Sequence, residues 1–105
     1  MATMNNFFNV PLFQENNDQH QLEVQLTLDG DTMELTYSEL ILDTFEHVVD
    51  SATFDAKAVR EHYHAANNQE LIARLMMDYS IGGNGATVYD DLIAYLHENG
   101  IHEIG

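Results

Sequence analysis

Strict alternation of apolar and polar residues on both sides of Asp29–Gly30 constrains the fold of this chain more than any other feature. The apolar positions are Leu22, Val24, Leu26, Leu28, Met33, Leu35 and Tyr37. A period of two indicates half-buried β-strands, and Asp-Gly is typical of a type I′ turn. A two-residue turn at 29–30 pairs Leu26 with Met33, Val24 with Leu35, and Leu22 with Tyr37. Because apolar residues face each other in every pair, the sequence predicts an antiparallel hairpin with one buried face.

This hairpin needs further structure on its apolar face, since two isolated strands are only marginally stable. Residues 7–13 form an apolar island that contains Pro11. Proline donates no backbone hydrogen bond, which favours an edge strand. Residues 7–13 are therefore predicted as a third strand, although the Asn- and Gln-rich stretch 1–20 also suits a loosely ordered arm.

Helical spacing dominates the rest of the chain. A first helix is predicted because apolar residues recur every three or four positions, at Ile41, Leu42, Phe45, Val48, Val49 and Ala52. Further helices are predicted at 55–66, from Asn68 to about residue 80, and from Thr87 to a C-terminal cap at Gly100, with a flexible loop at 81–85. The predicted fold is α+β, with an antiparallel β-hairpin or a three-stranded sheet packed against three to four α-helices. One domain is expected to span residues 1–105.

Negative charge is the strongest functional signal. Eighteen acidic residues stand against three basic ones, and the formal net charge is −15. No Lys or Arg precedes Lys57. Nucleic-acid binding requires basic side chains, so direct contact with nucleic acid is not expected. The natural partner of such a chain is a basic protein surface, while the alternative is that the acidity serves only solubility.

The predicted first helix carries an acidic stripe. Glu39, Asp43, Glu46 and Asp50 follow one another at four, three and four residues, which places them on one helix face. Like charges at this spacing destabilise a helix by roughly 0.2–0.5 kcal/mol per pair, so the stripe is interpreted as a partner-binding surface that imitates the phosphates of nucleic acid. The hairpin acids Glu23, Asp29, Asp31 and Glu34 are expected to extend it.

Catalytic and metal chemistry find little support in the sequence. The chain has no cysteine, which excludes thiolate ligands and cysteine nucleophiles. His62 and His64 are two residues apart in a predicted helix and point to different faces. The glycine-rich stretch 82–85 lacks the Lys-Ser/Thr of a phosphate-binding loop. No catalytic residue, no metal site and no cofactor is predicted, and the protein is not expected to be an enzyme.

In size, charge and absence of cysteine, the chain resembles the small inhibitors that phages and mobile elements direct against restriction, CRISPR or other nuclease systems. The leading hypothesis is therefore a nucleic-acid mimic that occupies the basic groove of a nucleic-acid-binding protein. One alternative is an acidic immunity protein or antitoxin. Another is an adaptor module whose Phe7, Phe8 and Phe13 dock onto a partner or a second copy as a homodimer. No apolar run reaches the roughly 20 residues of a membrane span, no basic segment precedes Phe7, and a cytoplasmic location is expected.

Overall fold

The computed structural model describes residues 7–81 and 87–104. A four-stranded antiparallel sheet comes first in the chain, with the strands side by side in sequence order: β1 (Phe7–Asn16), β2 (His20–Asp29), β3 (Thr32–Ile41) and β4 (Glu46–Asp55). Three α-helices follow within the described residues: α1 (Ala56–Tyr63), α2 (Asn68–Leu75) and α3 (Val88–Glu98). A π-helical turn (Met76–Ile81) continues α2.

The predicted sheet and first helix are both wrong, because β4 occupies the place of that helix. β4 pairs with β3 along its whole length, from Thr32 opposite Asp55 to Ile41 opposite Glu46. Val48 and Ala52 fit both patterns, since four residues are two strand repeats and about one helical turn. Strand pairing and the β-branched Val48–Val49 favour the extended form here. The sheet therefore has four strands rather than two or three.

The turn between β2 and β3 lies one residue later than predicted. Gly30 and Asp31 form the loop, and Asp29 pairs with Thr32. Gly30 has a φ of 60°, and glycine at the first loop position is characteristic of a type II′ turn. The pairs consequently shift by two residues, to Leu28 with Met33, Leu26 with Leu35, and Val24 with Tyr37. A shift of two leaves every side chain on its predicted face.

β1 confirms the prediction of an edge strand at 7–13 and extends it to Asn16. It pairs with β2, and Pro11 lies opposite Gln25. The register shifts between Pro11 and Phe13, so this bulge turns both Leu12 and Phe13 towards the core, where Leu12 is 2% exposed. Residues 1–6 of the predicted arm lie outside the described residues.

Side chains cap the first turns of α1 and α2. The Asp55 side chain accepts a hydrogen bond from Lys57 N at the start of α1, and α1 ends at His64 with a φ of 56°. Asn67 rather than the predicted Asn68 caps α2, because its side chain accepts from Glu70 N. α3 ends at Glu98, and Gly100 follows the C-cap Asn99 at the predicted C′ position, with a φ of 81°. Of the loop predicted at 81–85, Ile81 belongs to the π-helical turn, and residues 82–85 lie outside the described residues.

The core lies between one side of the sheet and the helices. Its fully buried side chains come from all four strands and from each α-helix: Leu12, Val24, Leu26, Leu28, Met33, Leu35, Phe54, Ala56, Val59, Leu71, Leu75, Val88, Leu92 and Leu96. On β2 burial extends to Leu22, whereas on β3 and β4 it is confined to the part nearest the Gly30–Asp31 turn. The uncovered part of β3 and β4 carries the candidate site.

Candidate protein-binding surface

Burial falls sharply along β3 and β4 away from the helices. In β3, Met33 and Leu35 are buried, whereas every residue from Thr36 to Ile41 is partly exposed. In β4, Ala52 and Phe54 are buried, whereas all of 46–51 is exposed. We call the helix-facing side of this region the open end, and it comprises Glu39, Ile41, Glu46, Val48 and Asp50.

Three of the four acids in the predicted stripe share this face, although they lie on strands rather than on a helix. Glu39 lies opposite Val48, Tyr37 opposite Asp50, and Ile41 opposite Glu46. Glu39 is consequently the diagonal neighbour of both β4 acids, a separation of about 7–8 Å in antiparallel pairs. Asp43 lies in the 42–45 loop beside them.

Glu39 is held in place by two neighbours on the same face. The Tyr37 hydroxyl donates a hydrogen bond to its carboxylate at 2.8 Å. His20 bridges two carboxylates, with Nδ1 3.1 Å from Glu39 and Nε2 2.7 Å from Glu15. Glu46 and Asp50 are more exposed than Glu39, so they are the carboxylates of the open end most accessible to a partner.

Two tyrosines beside the open end have raised pKa values, to which nearby carboxylates contribute. Burial, the hydrogen bond and charge of Glu39, and the charge of Asp90 raise the pKa of Tyr37 from 10.0 to about 12. Burial also raises the pKa of Tyr89, and the nearby charges of Asp50, Asp90 and Glu103 add to this. Both shifts arise mainly because burial disfavours the charged phenolate, and the neighbouring carboxylates disfavour a further negative charge as well.

Apolar side chains are exposed on the open end and around it. Val48, on the open end, is 44% exposed, Phe45 in the adjacent 42–45 loop is 76% exposed, and Val49 on the opposite face of β4 is 59% exposed. Phe45 has a φ of 58°, a conformation that is rare for residues with bulky side chains. Sequence reasoning missed these residues as surface features because it placed all three on the buried stripe of a helix.

This surface has only a small cleft among the described residues. A cleft of about 160 Å³ lies between the sheet and α3, lined by Tyr37, Val48, Asp50, Tyr89 and Asp90. Small-molecule sites usually measure about 300–1,000 Å³. The shape and the mixture of apolar and acidic side chains therefore suit contact with a macromolecule better than capture of a small ligand.

The remaining predicted acids lie elsewhere. Glu23 and Glu34 are on the opposite face of the sheet, since both alternate with the buried positions of their strands. Asp29 ends β2 and Asp31 lies in the turn at the far end of the sheet, where Asp31 forms an ion pair with Arg60 at 2.6 Å. The structure therefore divides the eight predicted residues among three surfaces instead of forming one continuous array.

Comparison with known proteins finds no match to this chain, whether among protein-family models, curated proteins or solved structures. None of the described helices has the length and apolar character needed to cross a membrane. Inferences about function therefore depend on the residues themselves.

Proposed function

We propose that this protein is an acidic inhibitor that binds the basic nucleic-acid groove of another protein through the open end. The observation that carries the proposal is the arrangement of Glu39, Glu46 and Asp50 on one exposed face of β3 and β4. No Lys or Arg occurs in the first 56 residues to neutralise them. Charges of one sign on an open surface attract a basic partner over a distance and orient it before contact.

The location of the basic residues supports the same surface. Lys57, Arg60 and Arg74 all follow β4 in the chain. At the opposite end of the sheet, the Arg60 guanidinium donates hydrogen bonds to Asp31, Asn68 and the Gly30 carbonyl. Arg74 Nη2 lies 3.9 Å from Glu70 Oε1. A basic partner that approaches β3 and β4 therefore meets acidic and apolar side chains first. A counter-defence inhibitor of this kind would act in the cytoplasm.

A second candidate function is that of an acidic immunity protein, antitoxin or adaptor, which recognises one specific site on a basic partner. The exposed Phe45 and Val48 favour it, because large apolar side chains typically form the centre of a protein interface. Phosphate mimicry alone needs no such side chains. The two functions differ in whether nucleic acid competes for the partner.

The test compares the wild-type chain with Glu46→Lys/Asp50→Lys and with a control, Glu61→Lys/Asp78→Lys. Both variants change the net charge equally, and the control changes exposed acids outside the sheet. Each protein is immobilised and incubated with cell lysate at low salt, with and without excess duplex DNA. The lysate proteins that it retains are identified by mass spectrometry. We expect a nucleic-acid-binding protein to be retained by wild type and control, lost from the open-end variant, and displaced by DNA.

The opposing results are equally specific. A partner lost from the open-end variant but resistant to DNA supports the second candidate function. Equal loss from both charge variants means that net charge, and not the open end, directs binding. Replacement of Phe45 by Ala, with Met77→Ala as a control at another exposed apolar position, then measures the apolar contribution to affinity.

A further inference from the structure

Two imidazoles and a carboxylate converge where α3 ends. His97, His102 and Glu103 each offer one ligand atom, and these atoms all lie within 4.8 Å of one another. His97 Nε2 is 2.6 Å from Glu103 Oε1, and the ring centroids of His97 and His102 are 5.0 Å apart. The sequence shows no recognised motif here, because His102 and Glu103 reach His97 only through the turn at Gly100.

The backbone fixes this turn at two points. Ile101 N donates to Leu96 O at 2.8 Å, and Gly100 N donates to His97 O at 3.1 Å, which together form a Schellman ending. Ile104 N then donates to Thr53 O of β4 at 2.8 Å. His102 and Glu103 therefore lie between two anchored residues, which reduces the conformational entropy lost when they bind a ligand together.

The cluster is covered by protein on one side and exposed to solvent on the other. The His97 ring packs near buried Phe54, with ring centroids 6.5 Å apart. The side chains of His97 and Glu103 are 39% and 41% exposed. An ion can thus reach the three ligand atoms from solvent, while Phe54 limits the positions that the His97 ring can adopt.

We propose that His97, His102 and Glu103 form a binding site for a divalent transition-metal ion of the zinc class. Imidazole nitrogen and carboxylate oxygen are ordinary Zn²⁺ ligands at about 2.0–2.2 Å. Tetrahedral ligand atoms at these bond lengths are about 3.3 Å apart, so the His97–Glu103 contact opens by less than about 1 Å to admit the ion. Three protein ligands leave a fourth position for water or a partner's side chain.

The ligand set also selects among cations. Mg²⁺ and Ca²⁺ prefer all-oxygen coordination, whereas imidazole suits zinc, copper, nickel and iron. The formal net charge of −15 raises the local concentration of every cation, so the contrast between Zn²⁺ and Mg²⁺ separates a coordination site from general electrostatic attraction. This site is independent of the proposed inhibitory function, because it lies outside the open end.

The test is isothermal titration of the full chain with zinc sulfate, with magnesium sulfate as the comparison. The variants are His102→Gln and Glu103→Gln, and the control is His47→Gln, which removes an exposed imidazole on β4. We expect one Zn²⁺ per chain, affinity weakened roughly tenfold or more in both site variants, and no change in the control; loss of a residue that merely supports a metal ligand already costs about 10–100-fold.

Imidazole NMR of the wild-type chain provides a second measurement that requires no mutation. The ring nitrogen resonances of His97 and His102 should shift together on zinc addition, while those of His20, His47, His62 and His64 stay in place. Binding no tighter than that of Mg²⁺, unchanged affinity in His102→Gln, or shifts confined to other histidines would overturn the proposal.

Discussion

Tyr37 of β3 packs against Tyr89 of α3, with ring centroids 5.7 Å apart and ring planes inclined by 55°. The pair lies at the boundary between the covered and the open part of the sheet. On one side lie the buried Leu35 and Leu92, and on the other lie Glu39 and Asp50. The hydrophobic core and the charged surface therefore meet at these two rings. Tyr37 packs against the core, and its hydroxyl donates a hydrogen bond to Glu39.

The first prediction concerns the ionisation of Tyr37. Its pKa should be found near 12, and Glu39→Gln should lower it only in part, because the neutral amide removes the adjacent charge while burial, the largest cause of the shift, remains. The Cζ resonance of Tyr37, followed by ¹³C NMR from pH 8 to 12.5, measures this pKa directly. Glu34→Gln, on the other face of the sheet, should leave it unchanged.

Stability should respond to pH in the same range. Tyr37 holds its proton more tightly in the folded chain than in the unfolded one, so its contribution to stability is complete below about pH 10 and declines as pH rises towards 12. Urea denaturation at pH 9 and at pH 11 should show a smaller pH-dependent loss in Tyr37→Phe than in wild type. An equal loss in both proteins would contradict this assignment.

The second prediction concerns Asn68, a buried polar side chain at 2% exposure. Its Oδ1 accepts from Arg60 at 2.6 Å, and its Nδ2 donates to the Gly30 carbonyl at 2.8 Å. Asn68→Ala should lower the free energy of unfolding by about 1–3 kcal/mol, because it removes hydrogen-bond partners from these groups. Urea denaturation checks this, with exposed Gln69→Ala as the control, and equal effects at the two positions would refute it.

The third prediction separates stability from binding at Phe45. Phe45→Asn should raise the free energy of unfolding by up to about 1 kcal/mol, because asparagine tolerates the left-handed conformation that phenylalanine adopts here. The same change should weaken partner binding. Val48→Asn removes exposed apolar surface without relieving any backbone strain, so it should weaken binding and bring no gain in stability.

The fourth prediction uses the backbone anchor of the metal site. Ile104→Pro removes the N–H that donates to Thr53 O, whereas Ile104→Ala retains it. Zinc affinity should fall in the proline variant and stay near wild type in the alanine variant, although neither changes a ligand. Equal affinity in both variants would show that the tether does not organise the site.

Local sequence patterns predicted the parts of the fold whose partners are close in sequence. The β2–β3 hairpin and the Gly100 ending follow from alternation and from glycine geometry, and both are present. β4 could not be predicted in this way, since Val48 and Ala52 satisfy helix and strand periods alike. What decides the outcome is pairing with β3, which depends on the whole sheet.

The candidate sites show the same limit. Charge composition pointed to Glu39, Glu46 and Asp50, and the pairing of β3 with β4 still brings them to one face. Exposure of Phe45 could not be predicted while it was assigned to a helix. The cluster at His97 needed both the turn at Gly100 and the bond from Ile104 to β4, and neither its spacing nor its residue types correspond to a known motif.

One consequence of the open end concerns solubility rather than recognition. β4 is an outer strand of the sheet, and outer strands are templates on which other chains add and grow into fibrils. Glu46 and Asp50 place negative charge on this strand, so the same carboxylates on the β4 of a second copy are repelled by them. The carboxylates offered to a basic partner thus also protect the chain against amyloid-like growth.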